Sequence, residues 1–334
     1  MTTITTTSTT STPAKGKLGY LPVALFGAVM GLTGLAVAWR IAHAHFGTPL
    51  WIAQVLGAAA LLAFAAQSIA YAIKAATDFA SVQAEFAHPV AGNLFGTPLV
   101  SLLLLPFLLA DINLTLARVV WTVGAIGMVL FAWRIVVRWI DERQKPAHAT
   151  PAWIVPAVGL IDVPLALPVL GWSDTLHGVM VFATAVGLFF AIPLFTMILS
   201  RLMFEEPMPG AMQPSLLIMV APFAVGFSAY ATTFGRIDDF AEALYMLMLF
   251  VLAVLFGRLR HLRSCCPFRV SWWAVSFPLA ASAGTSLRFA QHAGNVFADG
   301  IAVLVLAIAT TTIVGLAIRT LLGIVRGELK ALSS

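Results

Sequence analysis

The chain has 334 residues, of which 60% are hydrophobic and only 10% are charged. Charged residues make up about a quarter of a typical soluble protein, so this composition excludes a soluble globular domain and indicates several membrane spans of about 20 residues each. The net charge of +5 comes from loop arginines and lysines, and it reports membrane topology rather than nucleic-acid binding.

Ten apolar spans are predicted between two polar tails. The first tail, residues 1–17, is rich in threonine and is expected to be disordered in the cytoplasm. A membrane domain over residues 18–322 follows, and residues 323–334 form a second cytoplasmic tail. The predicted spans lie at about 20–42, 51–73, 94–112, 117–139, 153–172, 176–200, 215–233, 240–258, 271–289 and 297–321.

The basic residues are distributed unevenly between the two sides that ten spans create. Of the 19 lysines and arginines, four lie on the side opposite the termini, and these are Arg40, Arg118, Arg236 and Arg288. The remaining 15 lie on the side of the termini. Because cytoplasmic loops are enriched in lysine and arginine, both termini are predicted to be cytoplasmic, in a multi-pass protein of the cell (inner or plasma) membrane.

Prolines segregate into the odd-numbered spans. Each odd span contains at least one, namely Pro22, Pro98, Pro156, Pro222 and Pro278, whereas Pro193 is the single internal proline of an even span. A proline inside a helix removes a hydrogen bond and bends the helix. The pattern predicts five helical hairpins, each with a bent inner helix and a straighter outer one. The alternative is that prolines are simply common in membrane helices.

The ninth span has the most unusual sequence, SWWAVSFPLAASAGTSLR at residues 271–288. Phe277 immediately precedes Pro278, and small or hydroxyl-bearing residues follow. In lipid, such a break is tolerated only where the freed backbone faces protein or a watery cavity. From the residues alone, Phe277 is either a core residue at a kink or a plug in a narrow passage. Hydroxyls on the inner spans could replace part of an anion's hydration shell or hold helices together.

Several separated motifs occur in an order that matches a known family. They are PVALFGAVMGLTGLAVAWR in span 1, VQAEFAHPV before span 3, TPAWIVPAVG entering span 5, LIMVAPFAVGFSAY in span 7 and WWAVSFPLAAS in span 9. Together they resemble the tellurite-resistance/C4-dicarboxylate transporter family. These TehA-like proteins include the plant slow-type (SLAC-like) guard-cell anion channels. The resemblance covers about residues 21–322.

This resemblance implies an all-α homotrimer, each protomer of which encloses its own pore. Ten helices would form five hairpins around a quasi-five-fold axis, with the odd helices inside. A phenylalanine on the ninth helix would gate the pore, and Phe277 falls at that position. We expect the five prolines to bend the inner helices away from the axis and Gly27 to leave space opposite the ring.

The expected function is therefore transport of small anions rather than an enzymatic reaction. Halides, nitrate, a dicarboxylate such as malate, and sulfite or tellurite are the expected cargoes, membrane lipid is the surrounding partner, and no cofactor is implied. The alternative is a proton-coupled dicarboxylate carrier or a sulfite or tellurite exporter. A membrane enzyme or haem protein would need a deep polar cluster or facing histidines, which the sequence does not offer.

Asp162 departs from the family pattern, because it places a carboxyl group near the middle of span 5. An ionised carboxylate there is energetically expensive and would repel anions in a pore. Three interpretations remain open: burial keeps the group protonated, a cation away from the pore pairs with it, or it couples transport to protons. His43 and His45 lie two residues apart at the end of span 1, but two histidines are too few for a metal site.

Overall fold

The computed structural model describes residues 18–259 and 268–333. Within these two ranges all regular secondary structure is helical. The predicted tail at residues 1–17 and the adjacent cysteines Cys265 and Cys266 lie outside the described residues.

Helices occupy the positions of all ten predicted spans and are labelled in chain order. They are α1 (Val23–Phe46), α2 (Leu50–Thr77), α3 (Ala91–Leu109), α4 (Leu114–Asp141), α5 (Pro151–Asp162), α6 (His177–Phe204), α7 (Gly210–Phe234), α8 (Asp239–Leu259), α9 (270–293) and α10 (Val296–Val325). Of these ten helices in the described part of the chain, eight are long and apolar enough to cross a membrane, and α5 and α9 are the exceptions. Short helices also form at Phe79–Ala87, Leu167–Leu170 and Leu329–Ser333.

The odd-numbered helices share a change of helix type near their start. Each begins as a 3₁₀-helix and continues as an α-helix, with the 3₁₀ segments at Val23–Phe26, Ala91–Phe95, Pro151–Trp153, Gly210–Val220 and Val270–Val275. The second or third residue of the α-helical part is a proline in four cases, at Pro98, Pro156, Pro222 and Pro278. A proline has no N–H to donate to a carbonyl of the preceding turn. These four prolines therefore lie where the helix type changes, within the odd-numbered helices.

Pro22 differs from the other four prolines. It immediately precedes the 3₁₀ segment of α1 and occupies its N-cap position with an extended backbone. A residue outside the helix cannot bend it, so the kink expected at Pro22 is absent.

The odd-numbered helices are more deeply buried than the even-numbered ones. In the most apolar stretch of each helix, 61% of the residues of α1 and 72% of those of α7 are buried, against 22% for α2 and 33% for α6. The even helices instead expose large apolar side chains, such as Leu62, Phe189 and Phe250. Exposed apolar surface of this extent is characteristic of contact with lipid.

Packing between helices follows the same division. Each odd helix packs against the even helix that follows it in the chain. The odd helices also contact one another: α1 packs against α3 and α9, α7 packs against α5 and α9, and α3 packs against α5. The odd helices therefore form the core of the bundle.

Hydroxyl groups connect α1 to α3. Thr97 Oγ1 donates a hydrogen bond to the Val23 carbonyl at 3.2 Å, and Ser101 Oγ lies 3.4 Å from the Phe26 carbonyl. The paired residues advance in the same direction along both helices, so α1 and α3 are parallel. These hydroxyls hold helices together, which is the second of the two roles that the sequence left open.

A buried ion pair anchors the start of α1. Lys74 Nζ, in α2, lies 2.7 Å from Glu85 Oε2 and donates to the Leu21 carbonyl at 2.6 Å. The other carboxylate oxygen of Glu85 accepts the Val23 backbone N–H at 2.7 Å, and the Tyr71 hydroxyl donates to Oε2. Glu85 therefore caps the free N–H group of Val23 at the start of α1 and connects it to α2.

We predict that Glu85→Gln lowers the free energy of unfolding by about 3–5 kcal/mol, because it leaves the Lys74 ammonium group buried without its counter-charge. The matched control is Glu328→Gln, which removes an exposed pair with Arg319 and is expected to change stability by about 0–1 kcal/mol. Thermal unfolding of the purified protein in detergent measures both. Equal effects of the two substitutions would contradict the anchoring role of Glu85.

Candidate functional site

Two cavities lie among the odd-numbered helices. We call the end of the bundle at which these helices begin the proximal end, and the opposite end the distal end. The proximal cavity has a volume of about 170 Å³, and all five odd helices contribute to its lining. The distal cavity is smaller, at about 60 Å³, and is lined by α1, α3, α7, α9 and Leu165, just beyond α5. Among the described residues, the even helices contribute to neither lining.

Phe277 lies at the boundary between the two cavities. Its side chain lines both of them, and the residue is 9% exposed. Val225 of α7 is also common to both linings. Pro278, the next residue along α9, lines the proximal cavity. The phenylalanine that the sequence singled out therefore occupies the position between the two spaces.

Close approach of α1 and α9 positions this phenylalanine. A Cβ atom added to Gly31 of α1 would overlap the Ser276 side chain of α9. Ser276 Oγ in turn donates to the Gly27 carbonyl at 3.0 Å. Because residue 276 directly precedes the phenylalanine, this contact fixes the position of the Phe277 backbone relative to α1.

Gly34, and not Gly27, lies against the ring of Phe277. A Cβ atom at Gly34 would come within 3.7 Å of Phe277 Cδ2 and 3.0 Å of Ala280 Cβ. A Cβ atom at Gly27 would instead meet the backbone oxygen of Trp273 at 3.5 Å. The two glycines are seven residues apart, which is about two turns on the same face of α1. The sequence analysis therefore named a glycine on the same face of α1, but two turns too close to the start of the helix.

The prolines other than Pro278 are not part of the lining of either cavity. Pro156 and Pro222 are buried and Pro98 is half-buried. Pro22 lines a separate apolar groove between α1, α2 and α10. Their contribution to the interior is therefore through the backbone shape of the odd helices.

Asp162 lines the proximal cavity and is its only charged residue among those described. The residue is 3% exposed, and its Oδ1 atom has no hydrogen-bond partner within the described residues. No ion pair involving Asp162 is found in the part of the chain that the structure describes. The interpretation in which a cation neutralises Asp162 therefore has no structural support, and the other two interpretations remain.

Arg288 lines the distal cavity, whereas the sequence analysis placed it only near the end of span 9, on the side opposite the termini. Its Nη1 donates to Thr232 Oγ1 at 3.2 Å, between α9 and α7. The residue lies eleven positions after Phe277, which is about three helical turns. Arg288 and Phe277 therefore share one face of α9, and this spacing was the signal that could have found it.

The two histidines of α1 lie at the distal end. His45 Nε2 is 2.7 Å from the Asp299 carboxylate, and the His43 ring contacts the Thr48 carbonyl. Across residues 18–259 and 268–333, no cluster of three or more potential metal ligands was found. These histidines connect α1 to α10 and to the loop that follows α1.

The fold and its interior together define a class of protein. Membrane-length apolar helices surround a set of inner helices, which in turn enclose two cavities with few polar groups. This is the architecture of a membrane channel or transporter. Residues 20–321 match the family of voltage-dependent anion channels (SLAC1), and the chain belongs to this family.

Individual relatives come from plants, bacteria and archaea. The S-type anion channel SLAH3 of Arabidopsis thaliana is 27% identical over 313 residues, covering 90% of this chain and 48% of the plant protein. The tellurite resistance protein TehA homolog of Haemophilus influenzae is 27% identical over 316 residues, covering 92% of each chain. The uncharacterized transporter MJ0762 of Methanocaldococcus jannaschii is 29% identical over 222 residues, covering 59% of this chain and 63% of the archaeal one.

The family resemblance inferred from the five motifs is confirmed by these matches. The matched family is one of anion channels rather than of enzymes. The chain spans about half the length of SLAH3 and 57% of the related Arabidopsis channel SLAH2.

We predict that Gly31→Ala lowers the free energy of unfolding by about 1–3 kcal/mol, because the added methyl group overlaps Ser276 and forces α1 and α9 apart. Gly315→Ala in α10 is the matched control, since a Cβ atom there meets nothing within 4 Å. The control should leave the thermal unfolding midpoint in detergent unchanged or raise it. A tolerated Gly31→Ala would show that the helices can separate without loss of stability.

Proposed function

We propose that this protein is a passive or weakly coupled pathway for small anions, and that the Phe277 side chain closes it. The observation that carries the proposal is that Phe277 lines both the proximal and the distal cavity. A continuous lumen through the odd helices would have to pass this ring. An apolar constriction of this kind stops ions because they cannot keep their hydration shell inside it.

The arrangement of helices supports a pore within a single protomer. The packing partners of α1, α3, α5, α7 and α9 follow one another in cyclic order, which is the order expected of five hairpins around a quasi-five-fold axis. In this proposal all ten helices cross the cell membrane, both termini are cytoplasmic, and the proximal end faces the cytoplasm. The assembly is a homotrimer in which each protomer has its own pore.

The names of the relatives indicate the class of cargo. The plant proteins are S-type anion channels, and the Haemophilus influenzae protein is a tellurite resistance protein homolog. For this chain we propose small anions, among them halides, nitrate, malate, sulfite or tellurite. The lining is almost entirely apolar, so anions would be held weakly, as rapid passage requires.

We predict that Phe277→Ala raises chloride or nitrate current by at least about tenfold in planar bilayers, because removing the ring joins the two cavities. The matched control is Phe189→Ala, the same change at a side chain of α6 that is 68% exposed on the outer surface. The control should conduct like the unmodified protein. Unaltered current in the Phe277 variant would rule out the gate.

A second candidate function is a proton-coupled dicarboxylate carrier, or a sulfite or tellurite exporter coupled in the same way. The specific observation in its favour is Asp162, a buried carboxyl group that faces the proximal cavity and has one oxygen without a partner. A carboxyl group that gains and loses a proton in a transport pathway is a recurrent proton-coupling device. Loss of that proton would place a negative charge in the path of an anion.

We predict that Asp162→Asn abolishes the pH dependence of anion uptake into proteoliposomes if transport is coupled to protons. Asp174→Asn removes an exposed carboxyl group outside both cavities and serves as the control. A pH profile that is the same for the Asp162 variant and the unmodified protein would eliminate this second function and leave the passive pathway.

A further inference from the structure

The arginines at the distal end differ in their ion-pair and hydrogen-bond partners. Arg40 pairs with Asp111 at 2.9 Å and also donates to the Phe107 carbonyl. Arg118 donates through two nitrogens to the Leu170 carbonyl, at 3.1 and 2.8 Å. The guanidinium groups of both residues are therefore occupied by acceptors of the protein itself.

Arg236 is likewise paired, with Asp238 at 2.9 Å. The Tyr230 hydroxyl donates to the same carboxylate, and this hydrogen bond holds the pKa of Asp238 below its usual value. The Arg236 guanidinium group therefore also has an acceptor within the protein itself.

Arg288 is the exception. Within the described residues it makes no ion pair, and its one hydrogen bond to a side chain goes to the Thr232 hydroxyl. It is also the only charged residue among those that line the distal cavity. The Ser228 hydroxyl lines the same cavity and lies 3.2 Å from Thr285 Oγ1. A guanidinium group with unused donors and a hydroxyl group therefore face the same cavity.

The size of the distal cavity restricts its occupant. A bound water needs about 10–15 Å³, so a volume of about 60 Å³ holds about four to six water-sized groups. Chloride and nitrate fit within this limit. A four-carbon dicarboxylate exceeds it, and its second carboxylate would find no second cation among the described lining residues.

We propose that Arg288, with Ser228 beside it, forms a binding site for one small monovalent anion on the distal side of Phe277. The proposal rests on the proposed function and narrows its cargo to a halide or a planar oxyanion such as nitrate. The planar guanidinium group can offer two parallel N–H groups to a planar oxyanion, whereas it meets a halide as a simple charge.

The site would act as a selectivity element at the distal entrance. One positive charge in a narrow, largely apolar cavity concentrates anions and excludes cations, because the low-dielectric walls strengthen its field. The proximal cavity contains an acidic side chain, Asp162, and no basic one among the described lining residues. The two sides of Phe277 are therefore chemically different, and anion selection belongs to the distal side.

The test measures nitrate and chloride currents in planar bilayers, with Phe277→Ala as the conducting background. Adding Arg288→Gln should raise the half-saturating nitrate concentration about tenfold, the change expected when one charge-assisted contact is lost, and should lower anion-over-cation selectivity. Adding Arg288→Lys should keep selectivity for anions but lose the preference for nitrate over chloride. Arg236→Gln, the matched control for a paired distal arginine, should change neither quantity.

Two results would overturn the proposal. One is an Arg288→Gln variant with the half-saturating concentration and selectivity of its background. The other is an equal loss in the Arg288 and Arg236 variants, which would assign the effect to surface charge in general. If Arg288→Gln does not fold, Arg288→Lys decides: an unchanged nitrate preference overturns the site, and a lost preference supports it.

Binding of radiolabelled nitrate to the detergent-purified protein separates this site from the gate, because it needs no current. If Phe277→Ala fails to conduct but nitrate binding depends on Arg288, the gate is wrong and the site is supported. If Phe277→Ala conducts but neither current nor binding depends on Arg288, the gate stands and the site is overturned.

Discussion

The structure depends on the rule that backbone polar groups in hydrocarbon must find partners within the protein. The odd helices change from 3₁₀ to α near their start, and 3₁₀ geometry makes poorer hydrogen bonds. Hydroxyls of neighbouring odd helices bind carbonyls at this level, as Thr97 does for Val23 and Ser276 for Gly27. Helices of this kind are stable only against one another. The even helices, which are apolar and more exposed, lie outside this core.

This inward packing also explains the position of the phenylalanine. Glycines on α1 let α9 approach closely, at Gly31 beside Ser276 and at Gly34 beside Ala280. Phe277 lies between these two contacts along α9. Its ring is therefore held against α1 by backbone proximity rather than by a dedicated partner, and a ring held in this way can move without breaking a hydrogen bond.

The linings of the two cavities are almost entirely apolar, but each contains one ionisable side chain among the described residues. Asp162 lies on the proximal side of the ring and Arg288 on the distal side, and neither forms an ion pair within the described residues. A carboxyl group and a guanidinium group without ion pairs are expensive in a low-dielectric interior, so neither is explained by a contribution to stability. The buried pair of Lys74 and Glu85, in contrast, lies away from both cavities and anchors the start of α1.

The amino-acid sequence by itself determined the membrane character of the protein, the positions of its helices and its family. These features depend on composition, on the length of apolar runs and on motifs whose residues are close together in the chain. The tertiary structure alone decided which glycine meets the ring, and it showed that Pro22 lies outside α1 and that Arg288 faces the distal cavity. Those features depend on the rotation of each helix and on contacts such as that between Gly34 and Phe277, which are far apart in sequence. Apolar residues surround a membrane helix on every side, so its hydrophobic pattern does not indicate which face turns inward.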